Sequence, residues 1–282
     1  MNFQKRLIDM LYFLFGGASL LAGVSTACFY PKPLEDSLYQ LALNGIRNCE
    51  IFINTHSEIN RAFALGLRDT MSHFDAHCIS VHPFTCELEP IMLFSDYPRR
   101  VDDTIDYYKH FFEFMNIVGA KMFILHGAKG SPNFSRDLFC ERYMMLSDAA
   151  AKFGVTVTLE NVNRCLSGSL KFVKDVHSIL GSSLSFTLDT KQALRAKENP
   201  FDFVKALGSS LKHLHISDSG ELGDCLPIGK GRFNFQKFIT DVYSVSPDAS
   251  LIIELYKNSF CGISDLLSSY NIIDNFISKV SM

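Results

Sequence analysis

The chain has 282 residues, 47% of them hydrophobic, and a formal net charge of -3. This length suits one barrel of about 250 residues better than two small domains, and the hydrophobic content is enough for a large core. The slightly acidic balance, with no long basic run, disfavours nucleic acid as a partner. Eight scattered cysteines without a CxxC pair favour a reducing, cytoplasmic setting over a disulfide framework.

The N-terminus has two interpretations. Lys5 and Arg6 precede an apolar stretch over residues 7–22, as in a secretory leader. However, Asp9 interrupts that stretch, and the segment LLAGVSTACFY is needed as a first strand. We therefore expect residues 1–18 to form a helical extension and residues 19–282 to form the barrel, with a signal-like leader as the alternative. No other stretch approaches the ~20 apolar residues of a membrane span.

Short apolar segments alternate with amphipathic segments of helical period along the rest of the chain. The predicted strands cover residues 21–28, 48–53, 76–82, 122–126, 155–160, 184–189, 211–216 and 250–254. The predicted helices cover residues 34–43, 59–73, 101–118, 135–153, 170–180, 200–207, 235–243 and 264–280. Eight apolar strands separated by helices predict an α/β fold, a single-domain (β/α)8 TIM barrel with a parallel sheet.

Metal-ligating residue types stand at the ends of six successive predicted strands: His82, His126, Glu160, Asp189, His215 and Glu254. In a closed barrel the carboxyl ends of the strands meet at one rim, which is where such folds carry their active sites. A carboxylate buried at that rim needs a cation, because desolvation disfavours its charged form. Three carboxylates with imidazole therefore predict a divalent metal, namely Mn²⁺, Mg²⁺, Co²⁺ or Zn²⁺.

Each of these residues also has a purely structural interpretation. Asp189 could cap the helix that follows it. Glu160 or Glu254 could form an internal salt bridge with Lys191 or Arg164. Six independent accidents at six successive strand ends are improbable, however, and the joint pattern favours a metal site.

The ordered segments SVHP, LHG, TLENVNR, LDT, HLHISDS, LPIGKG and IIEL resemble the xylose isomerase-like barrel superfamily. That superfamily contains sugar and sugar phosphate isomerases and epimerases, inosose dehydratases, hydroxypyruvate isomerases and abasic-site nucleases of the endonuclease IV class. The resemblance covers nearly the whole chain but is not specific for one member. It implies that the core metal ligands are Glu160, Asp189, His215 and Glu254.

Two positions depart from the family pattern. Family members commonly read DTxH where this chain has Gln192 in place of the histidine, and HLPxGxG where this chain has Cys225 before LPIGKG. The third metal of the nucleases therefore lacks two ligands here. His82, His126 and Glu160 do match the nucleases' remaining metal site, which leaves a binuclear centre open. Cys225 is either a substitute ligand or an inert thiol.

The resulting hypothesis is a metal-dependent isomerase, epimerase or dehydratase that acts on a small sugar, sugar phosphate or polyol through an enediolate. Glu160 and Glu254 are the candidate catalytic residues, one removing and the other returning a proton. The candidate substrate-binding residues are His82, His126, Asn161, Lys191, Gln192 and Lys230. The alternatives are a metal-dependent phosphodiesterase related to abasic-site nucleases and a non-catalytic sugar-binding barrel; homo-oligomerisation stays open.

Some of these residues have alternative roles. Lys191 could stabilise an oxyanion or bind an anionic group of the substrate, or it could form a Schiff base as in an aldolase, although neighbouring carboxylates would raise its pKa and oppose that chemistry. Lys230 and its two flanking glycines could hold a phosphate, but a plain turn is the alternative. Asn161 could tie down the rim instead of contacting substrate hydroxyls.

Overall fold

The structure is a computed structural model that describes residues 20–130 and 135–281. Its strands are β1 Leu21–Ser25, β2 Asn48–Phe52, β3 His77–His82, β4 Met122–Leu125, β5 Thr156–Glu160, β6 Phe186–Asp189, β7 Leu211–Ile216, β8 Asp218–Gly220, β9 Gly223–Leu226 and β10 Ser250–Ile253. Eight of them form a closed parallel barrel in the order β1-β10-β7-β6-β5-β4-β3-β2. The predicted single TIM barrel is confirmed, and the predicted extension at 1–18 lies outside the described residues.

Helices cover the outside of the barrel between successive strands. They are α1 Leu34–Leu43, α2 Arg61–Phe74, α3 Pro98–Val118, α4 Arg136–Ala151, α5 Leu170–Leu180, α6 Thr190–Arg195, α7 Pro200–Leu207, α8 Phe235–Val245 and α9 Ile263–Val280. Local chemistry sets their ends: the Asn60 side chain accepts from the Phe63 amide at the start of α2, and α3 ends at Gly119, whose φ of 85° suits glycine. No helix within the described ranges is long and apolar enough to span a bilayer.

The structure differs from the predicted elements by one to three residues at several ends, and it contains elements that were not predicted. The first strand ends at Ser25 instead of residue 28, because the Ser25 hydroxyl accepts from the Ala27 amide and begins a 3-10 helix over Thr26–Phe29. The short helix α6 was not predicted. The antiparallel pair β8 and β9 was not predicted either, since three- and four-residue strands leave too little periodicity to detect.

Aromatic side chains fill the layer between the barrel and its helices near β3 and β4. Tyr108, Phe111 and Phe112 on α3 all pack around Phe123 of β4, with ring centroids 5.0, 5.7 and 5.4 Å away. All four rings are at most 1% exposed, and burial of each such side chain stabilises the fold by about 2 kcal/mol. This apolar outer layer leaves the barrel interior free to hold polar groups at the carboxyl rim.

Candidate metal centre

Three of the predicted ligands converge from neighbouring strands. Glu160, Asp189 and His215 end or nearly end β5, β6 and β7, and one ligand atom from each lies within 4.8 Å of the others. Glu254 follows β10 directly, and its Oε2 atom lies 4.0 Å from His215 Nδ1. The structure therefore brings all four residues together, as the strand order requires.

Two carboxylate oxygens in this group lack a regular hydrogen bond. Glu160 Oε2 and Asp189 Oδ2 are buried and make no hydrogen bond of standard geometry, although His126 Nε2 and Lys191 Nζ lie 2.9 and 3.4 Å from them. Asp189 uses its other oxygen, Oδ1, to accept from the Gln192 amide at 2.9 Å, which caps α6. Because a buried anionic oxygen needs more than one such neighbour to offset its lost hydration, these two oxygens fit a bound divalent cation. The cap is thus present, and the ligand role of Asp189 stays a prediction.

A second group of ligand types lies on the other side of Glu160. One ligand atom each from His82, His126 and Glu160 also lies within 4.8 Å of the others. His126 Nε2 is 2.9 Å from both Glu160 Oε2 and His82 Nε2. Glu160 therefore belongs to both groups, and the geometry has room for a ligand role of His82 and His126.

The charge on each ionisable side chain in this centre depends on the charged groups around it. Burial alone would raise the pKa of Glu160, but His126 and His215 outweigh burial and hold it well below its usual range. Burial likewise disfavours a charged His215, yet Glu50 and the other nearby carboxylates hold the pKa of His215 well above its ordinary value. Without a metal, these groups form a buried network of opposite charges.

Lys191 lies inside this network. Its Nζ atom is 3.0 Å from Glu254 Oε2, 3.4 Å from Asp189 Oδ2 and 4.7 Å from the centroid of the Tyr256 ring. Burial opposes its charge, but Asp189 and Glu254 hold the pKa of Lys191 well above its usual range. The Glu254–Lys191 salt bridge weighed from the sequence is present. An amine held this firmly in its ammonium form does not suit Schiff-base chemistry.

Glu50 on β2 was not identified from the sequence. It is fully buried, and its Oε2 atom accepts from Ser80 Oγ at 2.8 Å, from His215 Nε2 at 2.9 Å and from His213 Nε2 at 3.2 Å. Because Nε2 of His215 forms a hydrogen bond with Glu50, the Nδ1 atom of His215 faces Glu160. A carboxylate behind a histidine in this way is typical of metal centres. The available signal was a charged residue inside an otherwise apolar strand.

Glu89 is a second buried carboxylate that was not identified. Its Oε2 atom accepts from the amides of His126 and Gly127, both at 2.8 Å, and its Oε1 atom has no partner. Burial raises the pKa of Glu89 to about 8. The residue fixes the chain just after β4 and so positions His126. It lies in a loop, where no periodic pattern marks it.

Two of the predicted substrate-binding residues are engaged by the protein itself. The Asn161 side chain donates from Nδ2 to the backbone carbonyl of Asp189 at 2.9 Å, and its Oδ1 atom accepts from the backbone amide of Asp189 at 2.6 Å. Asn161 therefore ties β5 to β6 at the rim. The Gln192 side chain accepts from the Asn163 amide at 3.2 Å. For Asn161 the structure shows the rim-tying role, and contact of either residue with substrate stays a prediction.

The segment around Lys230 forms a plain turn. The amides of Gly229 and Gly231 donate to Asp218 Oδ2 at 2.8 and 2.9 Å, which is the plain turn weighed from the sequence. Contact of Lys230 with a substrate stays a prediction. A Cβ atom at Gly231 would collide with the Asp218 carboxylate, which explains the glycine. The Lys230 side chain itself is exposed. Cys225 is buried, with its Sγ atom 4.0 Å from the Glu254 carbonyl oxygen.

Comparison with known proteins agrees with this architecture. A family model described as xylose isomerase-like TIM barrel matches residues 39–265. An uncharacterized protein of Methanocaldococcus jannaschii is 28% identical over 172 residues, which are 58% of this chain and 66%, just under two thirds, of that protein.

Solved structures of sugar-modifying proteins have the same fold. A D-tagatose 3-epimerase-like protein superposes with a TM-score of 0.75 at 19% identity, over 93% of this chain and 98% of that chain. A probable 3-DHS dehydratase from Bacillus anthracis gives 0.71 at 16% identity, over 91% and 99%. A D-psicose 3-epimerase gives 0.70 at 14% identity, over 92% and 97%. At these identities the likeness shows the fold alone.

Proposed function

The chain belongs to the xylose isomerase-like TIM barrel family, and we propose that it is a metal-dependent isomerase, epimerase or dehydratase. Its substrate would be a small sugar, sugar phosphate or polyol that reacts through an enediolate. The observation that carries this proposal is the convergence of Glu160, Asp189 and His215, with two buried carboxylate oxygens that make no hydrogen bond of standard geometry. Epimerases and a dehydratase among the solved structures of the same fold support the class of reaction.

The donor set fits a divalent metal. Glu160, Asp189, His215 and Glu254 would hold Mn²⁺, Mg²⁺, Co²⁺ or Zn²⁺, because carboxylate and imidazole ligands suit these ions. When bound, the ion would supply Lewis acidity towards a substrate carbonyl and its neighbouring hydroxyl. Glu50 would keep Nδ1 of His215 directed at the site through the hydrogen bond to Nε2.

Glu160 and Glu254 are the residues proposed to move protons. For both, burial alone would raise the pKa, but neighbouring imidazole and ammonium groups outweigh it: His126 and His215 act on Glu160, and Lys191 and His215 act on Glu254. Both carboxylates therefore have lowered pKa values and are ionised at neutral pH, ready to remove a proton next to a carbonyl.

Two ionised bases bear on the choice of reaction. An isomerase can move one proton between adjacent carbons with one base, whereas two-base epimerisation requires one of the pair to begin protonated. Gln192, which stands where relatives have histidine, cannot exchange protons near neutrality. Isomerisation or dehydration is therefore favoured over epimerisation within the proposed class.

Turnover of a substrate panel tests the proposal. Purified protein with added Mn²⁺ would be assayed on ketoses, inososes and hydroxypyruvate, beside Glu160→Gln and the control Glu113→Gln, whose side chain is 65% exposed on α3. We expect the wild type and the control to turn over at least one compound, and Glu160→Gln to lower kcat/KM by about 10² to 10⁴ because it loses a general base. A wild type that turns over none of them and cleaves abasic DNA would show the proposal to be wrong.

One observation favours a second candidate, a metal-dependent phosphodiesterase. The group formed by His82, His126 and Glu160 adds a second place for an ion beside the first, as phosphodiester chemistry with two metals requires. The net charge of -3 weighs against a polyanionic substrate. Two bound ions with abasic-DNA cleavage would select this candidate, whereas sugar binding without turnover would indicate a non-catalytic barrel.

A further inference from the structure

Lys191 occupies a position between two of the four proposed metal ligands. It is the second residue of α6, and only 3% of its side chain is exposed. Its ammonium is 3.0 Å from Glu254 Oε2 and 3.4 Å from Asp189 Oδ2. A buried ammonium at these distances already supplies part of the positive charge that the carboxylates require.

The four proposed ligands fall into two sets, according to whether Lys191 pairs with them. Glu160, Asp189 and His215 form one converging group, while Glu254 is not a member of it and instead pairs with Lys191. Asp189 also leaves one oxygen, Oδ2, without a hydrogen bond although Lys191 is nearby. The lysine therefore engages one prospective ligand and only partly neutralises another.

Lys191 is enclosed from the solvent side. The Tyr256 ring covers the ammonium, and the Tyr256 hydroxyl accepts from Arg195 Nη1 at 2.7 Å. Arg195 in turn donates to both carboxylate oxygens of Asp224, at 2.6 and 3.0 Å, which ties α6 to β9. These contacts restrict the directions in which the lysine can leave Glu254.

We propose that Lys191 is an intramolecular competitor of the metal. A divalent ion that recruits Asp189 and Glu254 must either displace the ammonium or bind beside a like charge, and both lower its affinity. The ion would therefore engage Glu160, Asp189 and His215 first, and this chain would hold it more weakly than a chain with a neutral residue at 191. This inference rests on the proposed metal dependence.

Metal affinity tests this competition without any assay of turnover. Mn²⁺ binding would be measured by calorimetric titration and by the electron paramagnetic resonance signal of the free ion, on the full chain, on Lys191→Met and on Lys257→Met. The control loses the same charge from an exposed lysine that follows β10 on the same rim. We expect Lys191→Met to bind Mn²⁺ about tenfold more tightly or better, and Lys257→Met to stay within about twofold of the wild type.

Thermal unfolding gives an independent readout. Without metal, Lys191→Met leaves two buried carboxylates without their cation, so we expect its Tm to be lower than that of the wild type and to rise more on addition of Mn²⁺. If the wild type binds Mn²⁺ and the Met variant binds it equally or more weakly, competition is wrong while the metal site stands. If neither chain binds Mn²⁺, both proposals are wrong. A Met variant that stays unfolded at every Mn²⁺ concentration also overturns competition, because the lysine is then structural.

Discussion

Glu50 and Glu89 are both completely buried, yet the protein treats their charges in opposite ways. Burial raises the pKa of each, but two histidines outweigh it at Glu50 and hold that pKa well below the usual value. At Glu89 the hydrogen bonds from the amides of Gly127 and His126 do not outweigh burial, and its pKa rises to about 8. Burial thus fixes the cost of a charge, and the partners decide whether the charge is kept. Glu50 is part of an ionic network, and Glu89 is a neutral acid over most of the physiological range.

This difference reverses the pH dependence that each residue contributes. A folded-state pKa below 4.5 means that the contribution of Glu50 is present above that value and is lost as the pH falls. A folded-state pKa of about 8 means that the contribution of Glu89 is complete below 4.5 and is lost as the pH rises towards 8. Replacing each carboxylate separately by its neutral amide therefore tests this difference.

The largest effect is expected from Glu50→Gln. Removal of the charge leaves His215 and His213 without their buried carboxylate, so the free energy of unfolding should fall by about 3 to 5 kcal/mol at neutral pH. Urea unfolding measures this change, with exposed Glu113→Gln as the control expected to stay within about 0.5 kcal/mol of the wild type. A loss no larger than that of the control would mean that Glu50 is not an ionic partner.

An effect of the opposite sign is expected from Glu89→Gln. Glutamine resembles the protonated acid and does not titrate, so the variant should be close to the wild type near pH 5 and become more stable than it, by about 4 kcal/mol, near pH 9. Tm values of both chains across this range measure the difference. A gap that is constant with pH, or that grows towards acid, would contradict a raised pKa at Glu89.

The smallest effect is expected from Ser250→Ala, which alters the Glu50 network at its outer end. The Ser250 hydroxyl lies 2.6 Å from His213 Nδ1, and it donates there because His213 Nε2 faces Glu50. Its loss leaves one buried imidazole nitrogen without a partner and should lower the free energy of unfolding by about 1 kcal/mol. Equilibrium unfolding, with the equally conservative Ser244→Ala on exposed α8 surface as a control, measures it. A loss as large as that of Glu50→Gln would place the network's main support at Ser250 and not at Glu50.

Site residues at strand ends were easier to predict than site residues inside strands. His82, Glu160 and Asp189 could be found because each closes an apolar run, and a closed barrel brings such ends together whatever the loops do. Glu50 lies inside its strand, two residues before Phe52, and reaches the site only because its side chain points into the barrel at the depth of His213. The β2 segment is too short for an alternating pattern to show which face points inward.

Contacts made by loops could not be predicted at all. Glu89 lies in a loop, and its hydrogen bond to the amide of His126, just after β4, joins positions 37 residues apart. The contact between the Asp218 carboxylate and the turn at Gly229 could not be predicted either. The glycines of this turn suggested an anion site, because backbone amides bind a carboxylate of the protein and a bound anion with the same geometry. The spacing of glycines in the sequence indicates where backbone amides converge, but only the fold shows which acceptor they bind.

The link between Asn161 and Asp189 changes what sets the width of the rim. Strands β5 and β6 pair at only two positions, Leu159 with Phe186 and Glu160 with Thr187. Beyond these pairs, the side-chain amide of Asn161 forms hydrogen bonds with both the carbonyl and the amide of the Asp189 backbone, as the backbone of a neighbouring strand would. A side chain therefore completes the wall of the barrel at the level of the proposed ligands. The separation of the fifth and sixth strands at their ends, and with it the span between the carboxylates of Glu160 and Asp189, depends on the length of the Asn161 side chain as well as on the sheet.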